Sequence, residues 1–108
     1  MVKIKVPPQI HAGGHTYSIR RVKNLATNDG AEGQSNKYRL WIELEDDRPQ
    51  TIMAETLFHE LAHVAESVFF GKKVDHRYHD AIGELMVQFL QDLDVELDFS
   101  ELPQVEAR

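Results

Sequence analysis

Cysteine is absent from this chain. Disulfides and thiolate metal sites are thereby excluded, so any metal here must be held by imidazole and carboxylate groups. No apolar run is long enough to span a bilayer, and MVKIKVPPQI at the N-terminus alternates charged and apolar residues where a secretory leader would carry an apolar block. A cytoplasmic protein with no membrane partner is the expectation. Basic residues are in the minority, 12 Lys and Arg against 18 Asp and Glu, and the net charge of −6 argues against a nucleic-acid partner. There are no repeats or low-complexity tracts. A chain of 108 residues with 42% hydrophobic content supports one domain with a modest core.

The charge that is present is unevenly spread. Residues 1–44 hold seven Lys and Arg against three acids, while residues 84–108 hold seven acids against Arg108 alone. Two readings follow: two solvated faces, or an acidic C-terminal segment docked on the basic half.

Apolar periodicity divides the chain into a mainly β part over residues 1–50, two helices over 51–97 and an acidic tail over 98–108. Val2, Ile4 and Val6 alternate with lysines, a short edge strand ended by Pro7 and Pro8. Gln9–His11 and His15–Val22 flank Ala12-Gly13-Gly14, a hairpin signal, and leave His11 and His15 as exposed turn residues. Asn24–Ser35 reads as a loop. Lys37–Leu44 reads as a strand with Tyr38, Leu40, Ile42 and Leu44 on one face and Trp41 off it, either covering a second small cluster or facing substrate. Asp47, Pro49 and Gln50 form a helix-start signature. Gly71 is a stop, Lys72–His79 a linker, and Asp80–Val95 a second helix with the apolar stripe Ile82, Leu85, Met86, Phe89, Leu90 and Leu93. The expected fold class is α+β, a small domain with roughly a three-stranded antiparallel or mixed sheet followed by two helices.

Between the helix start and Gly71 lies His59-Glu60-Leu61-Ala62-His63. Residues four apart on a helix share a face, so His59 and His63 can direct two imidazoles at one zinc ion with Glu60 beside them. On the helical wheel these three residues lie nearly opposite Leu57, Leu61, Val64, Ala65 and Val68. A catalytic zinc takes three protein ligands and leaves one position open. Glu84, on the side of the second helix opposite its stripe, is the first candidate for the third, with His76 and His79 as alternatives. Gln88, one turn beyond Glu84, is placed to hydrogen-bond a ligand imidazole or simply to stay in solvent.

HELAH followed about twenty residues later by a helix bearing Glu84 resembles the gluzincin metallopeptidases. The small size and the ETLFHELAH run are most similar to the minigluzincins and to compact zincin-like proteins of prophages, and the E-x-x-x-Q-F segment is similar, over the two helices, to ImmA/IrrE-type peptidases. The metzincin continuation is missing, since Glu66 and Phe69 stand where its glycine and third histidine would be, and so is the zinc ribbon of SprT-type proteases. The resemblance implies one zinc held by His59, His63 and Glu84, with Glu60 as general base, acting on a peptide or unfolded protein. Tyr78, His76 or His79 would then supply a donor to the oxyanion, and the strand Lys37–Leu44 an edge for an extended substrate. A catalytically silent zinc-binding module is the alternative class. Because minigluzincins occur as latent forms, the resemblance also implies that the acidic tail, with Phe99 and Leu102, could fill the cleft of its own or a neighbouring molecule.

Overall fold

Alternating apolar and polar side chains underlie most of the five strands in the first 45 residues. The computed structural model describes residues 1–106 and places β1 at Val2–Lys5, β2 at Gln9–Ala12, β3 at His15–Lys23, β4 at Gly33–Asn36 and β5 at Trp41–Glu45, with a short helix α1 (Leu25–Asp29) before β4. Then come α2 (Gln50–Ala65), which winds into a wider π-type turn over Glu66–Phe70, α3 (His76–Asp92), β6 (Val95–Asp98) and β7 (Gln104–Glu106). The architecture is α+β, with a mixed sheet in the order β2-β3-β5-β4.

β3 organises the sheet. Its first half pairs antiparallel with β2 and its second half parallel with β7, while its other edge pairs parallel with β5, Ile19 opposite Ile42. One sheet face buries Tyr17, Ile19, Ile42 and Leu44 under Met53, Ala54, Leu57 and Val64 of α2. On the other face Arg20 lies opposite Glu43, bonds it at 2.5 Å and stacks its guanidinium 5.1 Å over the Trp41 ring. Trp41 is thus off the core face, as the alternation predicts, and is covered by Arg20. Glu45 on the same strand accepts from the Ala26 N–H of α1 at 2.9 Å.

Several boundaries differ from those read in the sequence. Lys37–Leu40 is the turn between β4 and β5, with Leu40 at φ 58°, and the loop Asn24–Ser35 contains both α1 and most of β4. Asp47 makes no side-chain cap; its own φ is 67°, and Pro49 occupies the cap position of α2, where no N–H is required. α3 begins four residues earlier than expected because Asp75 accepts from the Arg77 N–H at 3.0 Å and caps it. The Gly71 stop is as read, in the left-handed region at φ 70°.

Most of the stripe of α3 is turned outward, with only Met86 and Leu90 half-buried. Ile82, Leu85, Phe89 and Leu93 are 46, 67, 53 and 53% exposed, and the buried residues of the helix are His79 and Gly83. At Gly83 a side chain would stand 2.9 Å from the Glu55 carbonyl oxygen. α3 therefore meets α2 through its smallest residue, which the bulky stripe could not do.

The acidic C-terminal segment docks on the basic half. β6 runs parallel to β1, Val2 opposite Val95 through Lys5 opposite Asp98, and Lys5 Nζ meets Glu101 at 2.9 Å. Arg21 donates to the Leu102 carbonyl at 3.0 Å, and Phe99 and Leu102 are buried in the main core. The segment read as a possible cleft plug is therefore part of the fold itself; the last two residues of the chain lie outside the described ones. Leu102→Ala should cost about 2–4 kcal/mol, and truncation after Leu97 should abolish the cooperative thermal transition, both measured by circular dichroism.

Candidate metal centre

α2 carries His59 and His63 one turn apart because its regular α-geometry runs through Ala65, and their ring centroids are 5.0 Å apart. α3 brings His76 and His79 against them. The His59–His76 and His63–His79 centroids are separated by only 4.5 and 4.3 Å. Such spacing needs the close helix contact at Gly83, and it needs α3 to start by His76, which the Asp75 cap provides.

Two groups among the described residues could hold a metal ion: His59, His63 and His76, or His63, Glu66 and His79, each with one donor atom per residue within 4.8 Å of the others. Both depend on His63. The carboxylates around them favour the first group. Asp80 sits between two of its members, Oδ1 2.9 Å from His59 Nδ1 and Oδ2 3.7 Å from His76 Nδ1, and Glu66 Oε1 lies 3.6 Å from His63 Nδ1. Each Nδ1 therefore has a carboxylate nearby, within hydrogen-bond reach at His59, and Nε2 is the atom left over for a metal. Glu66 is itself tied down by the Val74 N–H at 2.6 Å and by the His79 Nε2–H at 3.2 Å. His79 is 3% exposed, and its Nδ1 is buried without a hydrogen-bond partner.

Burial lowers the pKa of His59, helped by the charge of His76, and burial lowers that of His63, helped by His79 and His59. Both are thereby held neutral near pH 7, the protonation state a metal requires. Glu66 is shifted below the usual carboxylate range, first by the hydrogen bond from Val74. Glu60 moves oppositely: burial pushes it up to about 7, against a smaller lowering by its hydrogen bond with Ser35. It is 5% exposed beneath β4, where a side chain on Gly33 would come within 3.3 Å of Glu60 Cγ.

The expected site residues thus divide. His59, His63, Glu60 and His76 come together, with His79 behind His63. Glu84 is exposed on α3 and belongs to neither metal-capable group, because the Gly83 contact turns the His76–His79–Asp80 side toward α2. Tyr78 is 63% exposed among the outward apolar residues and is not positioned as an oxyanion donor. Gln88 donates to Asp92 at 3.0 Å on the outer surface. Asp80, Glu66 and Ser35 were given no site role in the sequence, although Asp80 at i+4 from His76 and Glu66 at i+3 from His63 have the helical spacing that would have found them.

Two cavities open beside the cluster. One of about 520 Å³ is lined by His63, Glu66, Ser35, Lys37 and Lys72, and one of about 420 Å³ by His59, Glu60, Gly33, Glu32 and Asp80. β4 contributes to both. It is also the edge of the sheet, whereas β5 is flanked by β3 and β4, so the free edge for an extended ligand is Gly33–Asn36 in place of Lys37–Leu44.

Zinc affinity measured by competition with a chromophoric chelator should fall at least about 100-fold in His76→Ala and stay within about threefold in Glu84→Ala. Glu60 gives a pH signature in the metal-free protein. Its folded-state pKa is raised from 4.5 to about 7, so the folded chain binds the extra proton and Glu60's contribution to stability is lost as pH rises through that window. Urea unfolding in chelator at pH 5 and pH 8 should show wild type losing about 2 kcal/mol more than Glu60→Gln over that range. Neither a family model, nor a curated protein, nor a solved structure matches the chain, and the functional reading rests on this geometry.

Proposed function

We propose that the protein is a zinc-dependent endopeptidase whose metal is held by His59, His63 and His76. The observation that carries this reading is the convergence of those imidazoles from two helices, each backed by a carboxylate, with the Glu60 carboxyl buried next to them under a sheet edge. Zinc bound there supplies Lewis acidity toward a carbonyl and toward water. The donor set suits that ion: neutral nitrogen ligands, three in number, with the outer carboxylates raising their basicity.

The chain's own residues account for the remaining requirements. Glu60, with a pKa close to neutral, takes a proton from water and returns it to the departing amine. Ser35 holds the Glu60 carboxyl in place and sits on the strand that an extended peptide would join. Backbone hydrogen bonds from β4 would fix the scissile bond in register, and the cavities on either side would take flanking side chains. The substrate class is therefore an extended peptide or an unfolded protein segment. Compared with the gluzincin pattern, the difference lies in the third ligand, histidine in place of Glu84.

A second reading, a zinc-stabilised binding module without turnover, is favoured by the depth of Glu60, whose 5% exposure leaves little room for a water and a carbonyl together. One experiment separates the two. Zinc-loaded wild type should cleave an unstructured protein such as reduced, alkylated casein, and Glu60→Gln should retain one zinc per chain while losing at least about 1,000-fold in rate. Zinc binding without cleavage in wild type supports the binding module, and cleavage by Glu60→Gln at the wild-type rate removes Glu60 as the base.

A further inference from the structure

The two cavities that flank the imidazole cluster carry opposite charge. The one on the His63 side is lined by Lys37, Lys72 and Lys73, and its one carboxylate, Glu66, is already held by the Val74 N–H and by His79. Lys72 and Lys73 are exposed and, among the described residues, make no ion pair or side-chain hydrogen bond, while Lys37 lies 5.2 Å over the Tyr38 ring. The cavity on the His59 side is lined by Glu32, Glu55 and Asp80 beside Glu60, and by no lysine or arginine. Arg48, outside that lining, pairs with Glu32 at 2.8 Å, and Asp80 bonds His59. Glu55 is exposed and makes no ion pair among the described residues.

This change of sign runs along the cleft. β4 gives Gly33 to the acidic cavity and Ser35 and Asn36 to the basic one, and α2 passes in the same sense from Glu55 and His59 to His63. The step from His59 to His63 is about 6 Å along the helix axis. Side chains on one face of a strand recur at a similar interval, roughly 6.7 Å for two residues. An extended peptide on the free edge of β4 therefore offers one side chain to each cavity, with the residue between them over the imidazoles. Antiparallel pairing is the more stable way to add a strand, and it starts the peptide at the Asn36 end, beside the lysines. Resting on the peptidase reading of this site, we propose that the cleft selects peptides in which Asp or Glu is followed two residues later by Lys or Arg, and that the bond cut belongs to the residue between them. The opposite order sets like charges together at both cavities.

Fluorescence anisotropy with zinc-loaded Glu60→Gln, which holds peptide without consuming it, tests the proposal on labelled peptides with blocked termini that differ only in a central Glu-Ala-Lys, Lys-Ala-Glu or Lys-Ala-Lys. Glu-Ala-Lys should bind at least about tenfold more tightly than Lys-Ala-Glu at about 50 mM salt. The gap should close to less than about threefold at about 1 M salt, where charges are screened within about 3 Å. Adding Lys72→Glu and Lys73→Glu should make Lys-Ala-Lys the tighter ligand. Equal binding of the two mixed orders, tighter binding of Lys-Ala-Glu, or a preference indifferent to the lysine substitutions would each overturn the proposal. Cleavage of the same peptides by the wild type separates this from the peptidase reading. Selective binding with no peptide cut removes the peptidase and keeps the charge selection, whereas cutting of both mixed orders at one rate with equal binding does the reverse.

Discussion

The close approach of α2 and α3 is the constraint on which the rest of the molecule depends. Gly83 lies against the Glu55 carbonyl where a side chain would stand at 2.9 Å, and only that contact lets imidazoles from two helices reach centroid separations of 4.3–5.9 Å. Burial, helped by the charge of the neighbouring imidazoles, lowers the pKa of His59 and His63 and keeps them neutral. Asp80 and Glu66 stand beside those rings, Asp80 2.9 Å from His59 Nδ1 and Glu66 3.6 Å from His63 Nδ1. A larger residue at position 83 would separate the helices and disperse the cluster, with the core beneath α2 left intact.

Part of this was legible from residue spacing alone. His59, Glu60 and His63 are tied to one helix face by the 3.6-residue period, and no tertiary context was needed to place them together. The orientation of α3 was not legible, because reading a helix by its apolar stripe assumes that the most apolar side faces the core. Here the buried residues are His79 and Gly83, with Val87 packed against the core and His76 and Asp80 at the rim of the imidazole cluster, so Glu84, expected as a metal ligand, is exposed. β4 was hidden for another reason. Gly33-Gln34-Ser35-Asn36 has little intrinsic strand preference, and it is extended because β5 supplies hydrogen-bonding partners and α2 lies beneath it.

Electrostatics divides the acidic surplus between structure and site. Glu43 and Glu45 are buried on the far sheet face, one against Arg20 and the other capping α1, so two of the acids serve packing. The C-terminal acids meet the N-terminal lysines along β1 and β6, the sharper of the two readings that the charge distribution allowed. Asp80 and Glu66, from the same surplus, serve the imidazoles.

The pairing of β1 with β6 and of β3 with β7 carries a consequence for biosynthesis. Val2 lies opposite Val95 and Arg21 opposite Gln104, so each early strand waits for a partner that follows both helices in the chain. As the chain leaves the ribosome, α2 and α3 are complete while Phe99 and Leu102 are still to emerge, and closing those long loops is the slow entropic step. Until then the nascent chain holds its clustered histidines over an uncovered core and a partly unpaired β3 edge, which makes the segment after α3 the gate through which folding passes or association with other unfinished chains begins.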